Sequence, residues 1–158
     1  MGVEERKMRG ARRSTVIATR VNWLSSRLVS TATATYGELG LGFLNARIIL
    51  ALGRRPQITA ARLAEVIGVD PAAVSRALRE LRSRKLVEEA KGAVRALSLT
   101  PAGAALRAQV ETISEEREAR MLRGFSETEA DEMHQFLERM LAQMEAVGAL
   151  AEELSPNR

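Results

Sequence analysis

ITAARLAEVIG (residues 58–68), VD (69–70), PAAVSRALRELRSR (71–84) and LVEEAKGAVRALSL (86–99) follow one another, with Lys85 between the last two. Thr59 is a good helix N-cap, Leu63, Ala64 and Ile67 form one apolar stripe, and Gly68 supplies the left-handed residue of a helix exit. Asp70-Pro71 starts a second helix as N-cap and first-turn proline, with Val74, Ala77, Leu78 and Leu81 on its inner face. From Leu86 the helical period is lost. Leu97 and Leu99 alternate with Ala96 and Ser98, and Lys91-Gly92 makes a tight hairpin turn. Helix, glycine-centred turn, helix and hairpin, read over Pro56 to Gly103, predict a winged helix-turn-helix. Such a module lays its second helix in the DNA major groove and its hairpin along the flanking backbone.

The flanks extend this into a mainly helical chain. Residues 1–13 read as a basic flexible arm. Ser14 caps a first helix, about 14–36, with Ile17, Val21, Leu24, Leu28 and Ala32 on one stripe. A second helix, Leu41 to Gly53, carries Leu44, Ile48 and Leu52 on a face. Arg54-Arg55-Pro56 stops it, because a residue before proline is disfavoured in a helix. Thr100-Pro101 opens a fifth helix with Leu106, Val110 and Ile113 inward, interrupted or ended by Gly124. The capping box Ser126-Glu127-Thr128-Glu129 opens a sixth, whose stripe runs Met133, Phe136, Leu137, Met140, Leu141, Met144 and Val147. The expected architecture is six helices and a short β-hairpin wing in one domain, 14–150. The DNA-binding part spans about 41–100, dimerisation helices span about 14–36 and 101–150, and a tail covers 151–158.

Composition narrows the function. At 158 residues and 46% hydrophobic the chain builds one real core, and with 3% aromatics the aliphatics must fill it. The absence of cysteine excludes disulfides, thiolate metal sites and thiol redox sensing. One histidine, His134, makes no metal cage, so neither metal nor cofactor is expected. Arg20 and Arg27 interrupt the only semi-apolar stretch near the N-terminus, which leaves no secretory or membrane segment and points to the cytoplasm. Charge is segregated. Residues 1–30 hold seven Lys/Arg against two Asp/Glu, 54–95 hold ten against five, and 111–158 hold five against twelve. The positive charge lies in the arm and the reader, as on a nucleic-acid face.

The outer face of the 71–84 helix carries the candidate contacts. Ala72 and Ala73 are small and near its start, so backbone and bases can approach. Ser75 can donate to a phosphate. Arg76 and Arg79 can reach guanine O6/N7 bidentately or grip phosphate. Thr59 at the start of the preceding helix, Lys91 at the hairpin tip and Arg95 on the return strand complete the DNA-binding set. No nucleophile elbow, phosphate-cradling glycine loop, HExxH or paired His and Cys is present, so no enzyme is read.

ITAARLAEVIGVDPAAVSRALRELRSRKLVEE, followed by the joint ALSLTPAG, resembles the MarR family of transcriptional regulators, and the helix order extends the likeness over residues 14–150. The resemblance implies a sequence-specific double-stranded DNA-binding regulator and a repressor. It also implies a homodimer built from the first, fifth and sixth helices on a pseudo-palindromic operator, and release by a small, often aromatic, acid. Trp23, Phe43 and Arg47 lie where family members place that effector; core packing, for the two aromatics, and a solvated face, for Arg47, are the alternatives. The Met-rich final stripe is read as a dimer or core seam. One departure stands out. The family wing carries an acidic residue and an arginine about six residues before the joint leucine, where this chain has Lys91-Gly92-Ala93. Glu88 and Glu89 add negative charge nearby. An alternative reading follows, a winged-helix protein–protein module with little DNA affinity.

Overall fold

The computed structural model describes residues 3–90 and 95–153. Its elements are α1 (Val3–Gly37), α2 (Phe43–Arg54), α3 (Ala60–Ile67), α4 (Pro71–Ser83), β1 (Val87–Glu89), β2 (Leu97–Leu99), α5 (Pro101–Met121), α6 (Glu127–Ala142) and α7 (Met144–Glu153). The fold is mainly helical, with the expected two-strand antiparallel hairpin after α4. The chain divides into two compact units, Met1–Ser114 and Glu115–Arg158.

Within the first unit the local signals of α3 and α4 are realised. The Thr59 side chain accepts from the Arg62 N–H, and Gly68 closes α3 in the left-handed region. Asp70 accepts from the Ala73 N–H at 2.9 Å, with Pro71 in the first turn. The apolar stripes of both helices, Leu63, Ala64 and Ile67 with Val74, Ala77, Leu78 and Leu81, are buried. They share one core with Ile48, Ile49 and Leu52 of α2, Leu86 and Val87 at the start of the wing, and Val110 of α5. Tyr36, buried at the end of α1, shares a 2.6 Å hydrogen bond with Ser114 of α5.

The wing is paired more widely than alternation suggests. Val87, Glu88 and Glu89 stand opposite Leu99, Ser98 and Leu97. Leu97 also bridges to Ile58, its N–H donating to the Ile58 carbonyl and its carbonyl accepting from the Gln57 N–H. The segment before α3 is thereby stitched to the returning strand. The hairpin tip, including Lys91 and Gly92, lies outside the described residues.

Where α4 meets the wing and α5, the backbone makes a tight corner. Lys85 takes a left-handed φ of 56°. The Thr100 hydroxyl donates to the Lys85 carbonyl at 2.6 Å, and the Thr100 N–H donates to the Leu86 carbonyl at 3.1 Å. Gly103 packs directly on that Leu86 carbonyl, so a methyl group at Gly103 would overlap a backbone oxygen. The sequence LTPAG is thus a hydroxyl cap and a bare backbone face used together.

Three element boundaries differ from the sequence reading. The first helix begins at Val3, not at Ser14, so residues 3–13 are helical where a flexible arm was expected. That segment is made of good helix formers, with Glu4 and Glu5 at its positive end, and the single Gly10 costs only about 1 kcal/mol. The second helix starts at Phe43, after the turn Glu38–Gly40 and the non-helical Leu41-Gly42. In the second unit, the expected last helix is broken at Gln143, where a Gln143 N–H to Met140 carbonyl bond tightens the turn before α7. The predicted capping box is present. Ser126 accepts from the Glu129 N–H, and the Glu129 carboxylate accepts from the Ser126 N–H at 2.8 Å. That backbone bond, then the Ser126 hydroxyl, holds the Glu129 carboxyl below the usual carboxylate range. A depressed carboxyl supports the fold above that range, and its contribution disappears as pH falls through the depressed value.

Both α1 and α6 leave apolar side chains in solvent. Ile17, Val21, Trp23 and Leu24 are exposed on α1, and Phe136, Leu137, Met140 and Leu141 on α6. No helix among the described residues is long and apolar enough to cross a membrane.

Gly103→Ala is expected to lower stability by about 3 kcal/mol through overpacking against the Leu86 carbonyl. Gly37→Ala, where a Cβ meets no heavy atom within 4 Å, should stay within about 0.5 kcal/mol of the parent. Urea unfolding of both proteins checks this, and equal midpoints would remove the corner from its structural role.

Candidate nucleic-acid interface

A helix turns roughly 100° per residue, so the buried Val74, Ala77, Leu78 and Leu81 fix which residues of α4 point outward. Ala72, Arg76, Arg79 and Ser83 lie farthest from the core, flanked by Ser75 and Arg82 on one side and Ala73 and Glu80 on the other. Ala72, Ser75, Arg76 and Arg79 are exposed and Ala73 is half-buried. The structure therefore assembles the predicted α4 set on one face. Thr59 is exposed at the start of α3, but its hydroxyl is engaged as the cap.

The arginines of this unit divide into paired and unpaired. Arg62 is held by Glu65 at 2.5 Å, Arg82 by Glu89 at 2.7 Å and Arg107 by Glu111 at 3.1 Å. Arg84 donates to the Gly40 carbonyl at 2.6 Å and stands 4.0 Å from Glu80. Arg76 and Arg79, like Arg20 and Arg27 of α1 and Arg54 and Arg55 at the end of α2, have no carboxylate partner among the described residues. Two exposed, uncompensated guanidinium groups on a rigid helix are what a polyanion needs.

The wing is electrically quieter than a count of its basic residues suggests. Glu89 sits between two arginines, with Arg82 of α4 at 2.7 Å and Arg95 of the return strand at 3.9 Å. Arg95 remains largely exposed, whereas Glu89 is mostly covered. Sequence reasoning treated Glu89 as a local repulsive charge; the structure shows it matched from both sides. No linear motif announces that cluster, because it joins a helix end to a strand pair. Lys91 lies outside the described residues.

The three effector candidates do not share one cavity. Phe43 and Arg47 are together, with the guanidinium 5.5 Å from the ring centroid. Arg47 also donates to the Ile67 carbonyl at the end of α3, and burial lowers its pKa. Its cleft is walled by Leu50, Ala51, Arg54, Arg55, Val66 and Ile67. Trp23 instead lines a shallow depression on α1 with Val16, Thr19 and Arg20. Asn45, which the sequence reading passed over, is the buried polar residue among those described, and it lines a recess beside α4. No group of carboxylates and histidines fit to hold a metal occurs among the described residues.

A helix-turn-helix with a paired wing and an outward, arginine-bearing second helix defines the winged helix-turn-helix class. Residues 39–95 match the sequence profile of the MarR family. A MarR/EmrR-family transcriptional regulator from Acinetobacter sp. ADP1 superposes with a TM-score of 0.78 at 25% identity, covering 84% of this chain and 97% of that one. A MarR-family transcriptional regulator from Silicibacter pomeroyi gives 0.69 at 25% identity, over 78% and 86%. A putative MarR-family regulator from Listeria monocytogenes, complexed with 26mer DNA, gives 0.75 at 18% identity, over 89% and 95%, and speaks for the fold. No curated protein matches the sequence. Over residues 39–95 the chain is thus similar to the MarR family, and its fold is similar to that of solved MarR-family transcriptional regulators.

Glu89→Gln should release Arg82 and Arg95 for phosphate contact. Affinity for random duplex DNA is expected to rise severalfold, and each new contact should steepen the log–log salt slope by about 0.9. Fluorescence anisotropy across a salt series reads both quantities. A loss of affinity would mean that Glu89 positions Arg95 instead of restraining it.

Proposed function

We propose that the chain is a sequence-specific double-stranded DNA-binding regulator that acts as a homodimer on a pseudo-palindromic operator and represses by occupying it. The observation that carries this reading is the exposed α4 face, where Arg76 and Arg79 stand without carboxylate partners while neighbouring arginines are paired. Small Ala72 and Ala73 let the start of the helix approach base edges. The DNA complex of the Listeria relative supports the same use of the fold. Binding of this kind needs no covalent chemistry, and a chromosomal ligand places the work in the cytoplasm.

Dimerisation is supported by the uncovered apolar residues of α1 and, separately, of α6. Monomers rarely leave such stripes in water, and one reader contacts only half a site. Two α4 helices in a dimer should stand about one DNA turn apart, roughly 34–36 Å. An effector, in this reading a small acid, is best supported at the Arg47 cleft, where a guanidinium meets apolar walls. The neutralised wing lends some support to the alternative, a protein–protein module. Salt separates the two, because phosphate binding weakens steeply with salt and apolar docking does not.

The test is a mobility shift with the DNA upstream of the chain's own gene, repeated with Arg79→Ala. The wild type should bind. The variant should lose about 1–3 kcal/mol on the preferred sequence and much less on random DNA, as expected for a base contact. Binding by neither protein, or equal binding by both, contradicts the reading. Sedimentation should show a dimer at micromolar concentration, and a stable monomer would contradict that part. Arg95→Ala and Lys91→Ala should weaken preferred and random DNA alike and modestly, leaving sequence preference unchanged.

A further inference from the structure

The start of α2 faces the flank of α4 across an open recess lined by Gly42, Phe43, Asn45, Ala73, Arg76 and Glu80, among others. The first N–H groups of a helix have no partner within it. At α2 the N-cap is Gly42, which offers no side-chain acceptor, and the first turn contains no acidic residue. The Ala46 N–H donates to the Gly42 carbonyl, while those of Phe43, Leu44 and Asn45 find no acceptor among the described residues. Helix ends of this kind hold anions when other groups converge on them.

A second observation is independent of the helix end. Asn45 is only 4% exposed, lines the recess, and its amide has no hydrogen-bond partner among the described residues. The amide is not among the fully enclosed unpaired atoms, so it keeps access to the recess it lines and is free to bond a ligand atom there. Arg76 reaches the same recess from α4 and has no carboxylate partner among the described residues. Glu80 is the opposing charge on the rim, and it leans toward Arg84, 4.0 Å away. Backbone N–H groups, a buried amide and a guanidinium together suit a phosphate oxygen cluster. The recess opens beside the outward face of α4, which selects a polymer phosphate over a free ion.

We propose that the α2 N-terminus, Asn45 and Arg76 hold one DNA backbone phosphate at the edge of the groove that α4 enters. This rests on the DNA-binding reading and assigns the two arginines different work. Arg76 fixes register on the backbone, and Arg79 is left to read bases.

Gly42→Asp tests it without threatening the fold. Gly42 has an ordinary extended conformation, and a Cβ there meets no heavy atom within 4 Å. An aspartate would cap α2 and should keep or raise the melting temperature. It would also occupy the N–H groups and repel phosphate. Anisotropy titrations with the preferred duplex and with random duplex should show about a tenfold loss on both, a salt slope shallower by about 0.9 for each phosphate released, and unchanged base preference. Arg76→Ala should do the same. A methylphosphonate scan of the preferred duplex should find one position per half-site that weakens the wild type and leaves Gly42→Asp unaffected. If the wild type binds DNA and Gly42→Asp binds equally well, or with altered base preference, this proposal fails while the DNA-binding reading stands. If inorganic phosphate shifts the Phe43 and Asn45 amide resonances but no methylphosphonate position matters, the site holds a free anion and the proposal fails. If the wild type binds no duplex at all, both fail.

Discussion

The Leu86 carbonyl is the point on which the reader depends. It accepts from the Thr100 N–H and lies against the bare backbone of Gly103, while the adjoining Lys85 carbonyl accepts from the Thr100 hydroxyl. These contacts join the end of α4, the start of β1, the end of β2 and the start of α5. Lys85 holds a left-handed backbone there without being glycine, a conformation that persists only when its surroundings over-determine it. With this corner fixed, the buried stripe of α4 has one orientation, and its outer face follows by helical geometry. The outward placing of Arg76 and Arg79 is in this sense a packing consequence before it is an electrostatic one.

Electrostatics then sorts the basic residues. A basic segment is not uniformly available to a polyanion, because carboxylates within it claim some of the charge. Glu65 takes Arg62, and Glu89 takes Arg82 while standing close to Arg95. What remains on α4 is Arg76 beside the α2 recess and Arg79 facing outward. The wing, short and internally matched, has less to offer. At the wing's base Glu89 stands between Arg82 and Arg95, so helix end and return strand meet through one carboxylate.

Much of the reader was legible in the sequence because its signals are local. Thr59, Gly68, Asp70 and Pro71 each act within one turn, and the stripes of α3 and α4 follow one period. The Thr100 and Gly103 joint was legible as a motif, though its contact with Leu86 was not. The unread parts are those settled by distant neighbours. The Ile58–Leu97 bridge pairs segments far apart in the chain. Asn45 shares the helical face of Ile48, Ile49 and Leu52, but its amide argued against burial, and Glu89 looked repulsive until its two arginines were placed. The start of α1 was set at Ser14, a cap residue that lies inside the helix, and the break at Gln143 carries no proline or glycine to mark it. Trp23 and Arg47 were joined by resemblance, and the fold separates them into different depressions.

The central claim is that α4 reads bases from the major groove. Guanine N7 methylation interference addresses it directly, because N7 lies in that groove and on the edge an arginine recognises. Duplexes selected by the protein from a random pool are partially methylated, separated into bound and free, and cleaved. The account predicts that methylation of at least one guanine in each half-site excludes the duplex from the bound fraction. It also predicts that Arg79→Ala loses this exclusion. Bound and free fractions with identical methylation patterns, for a protein that still shifts the duplex, would contradict it.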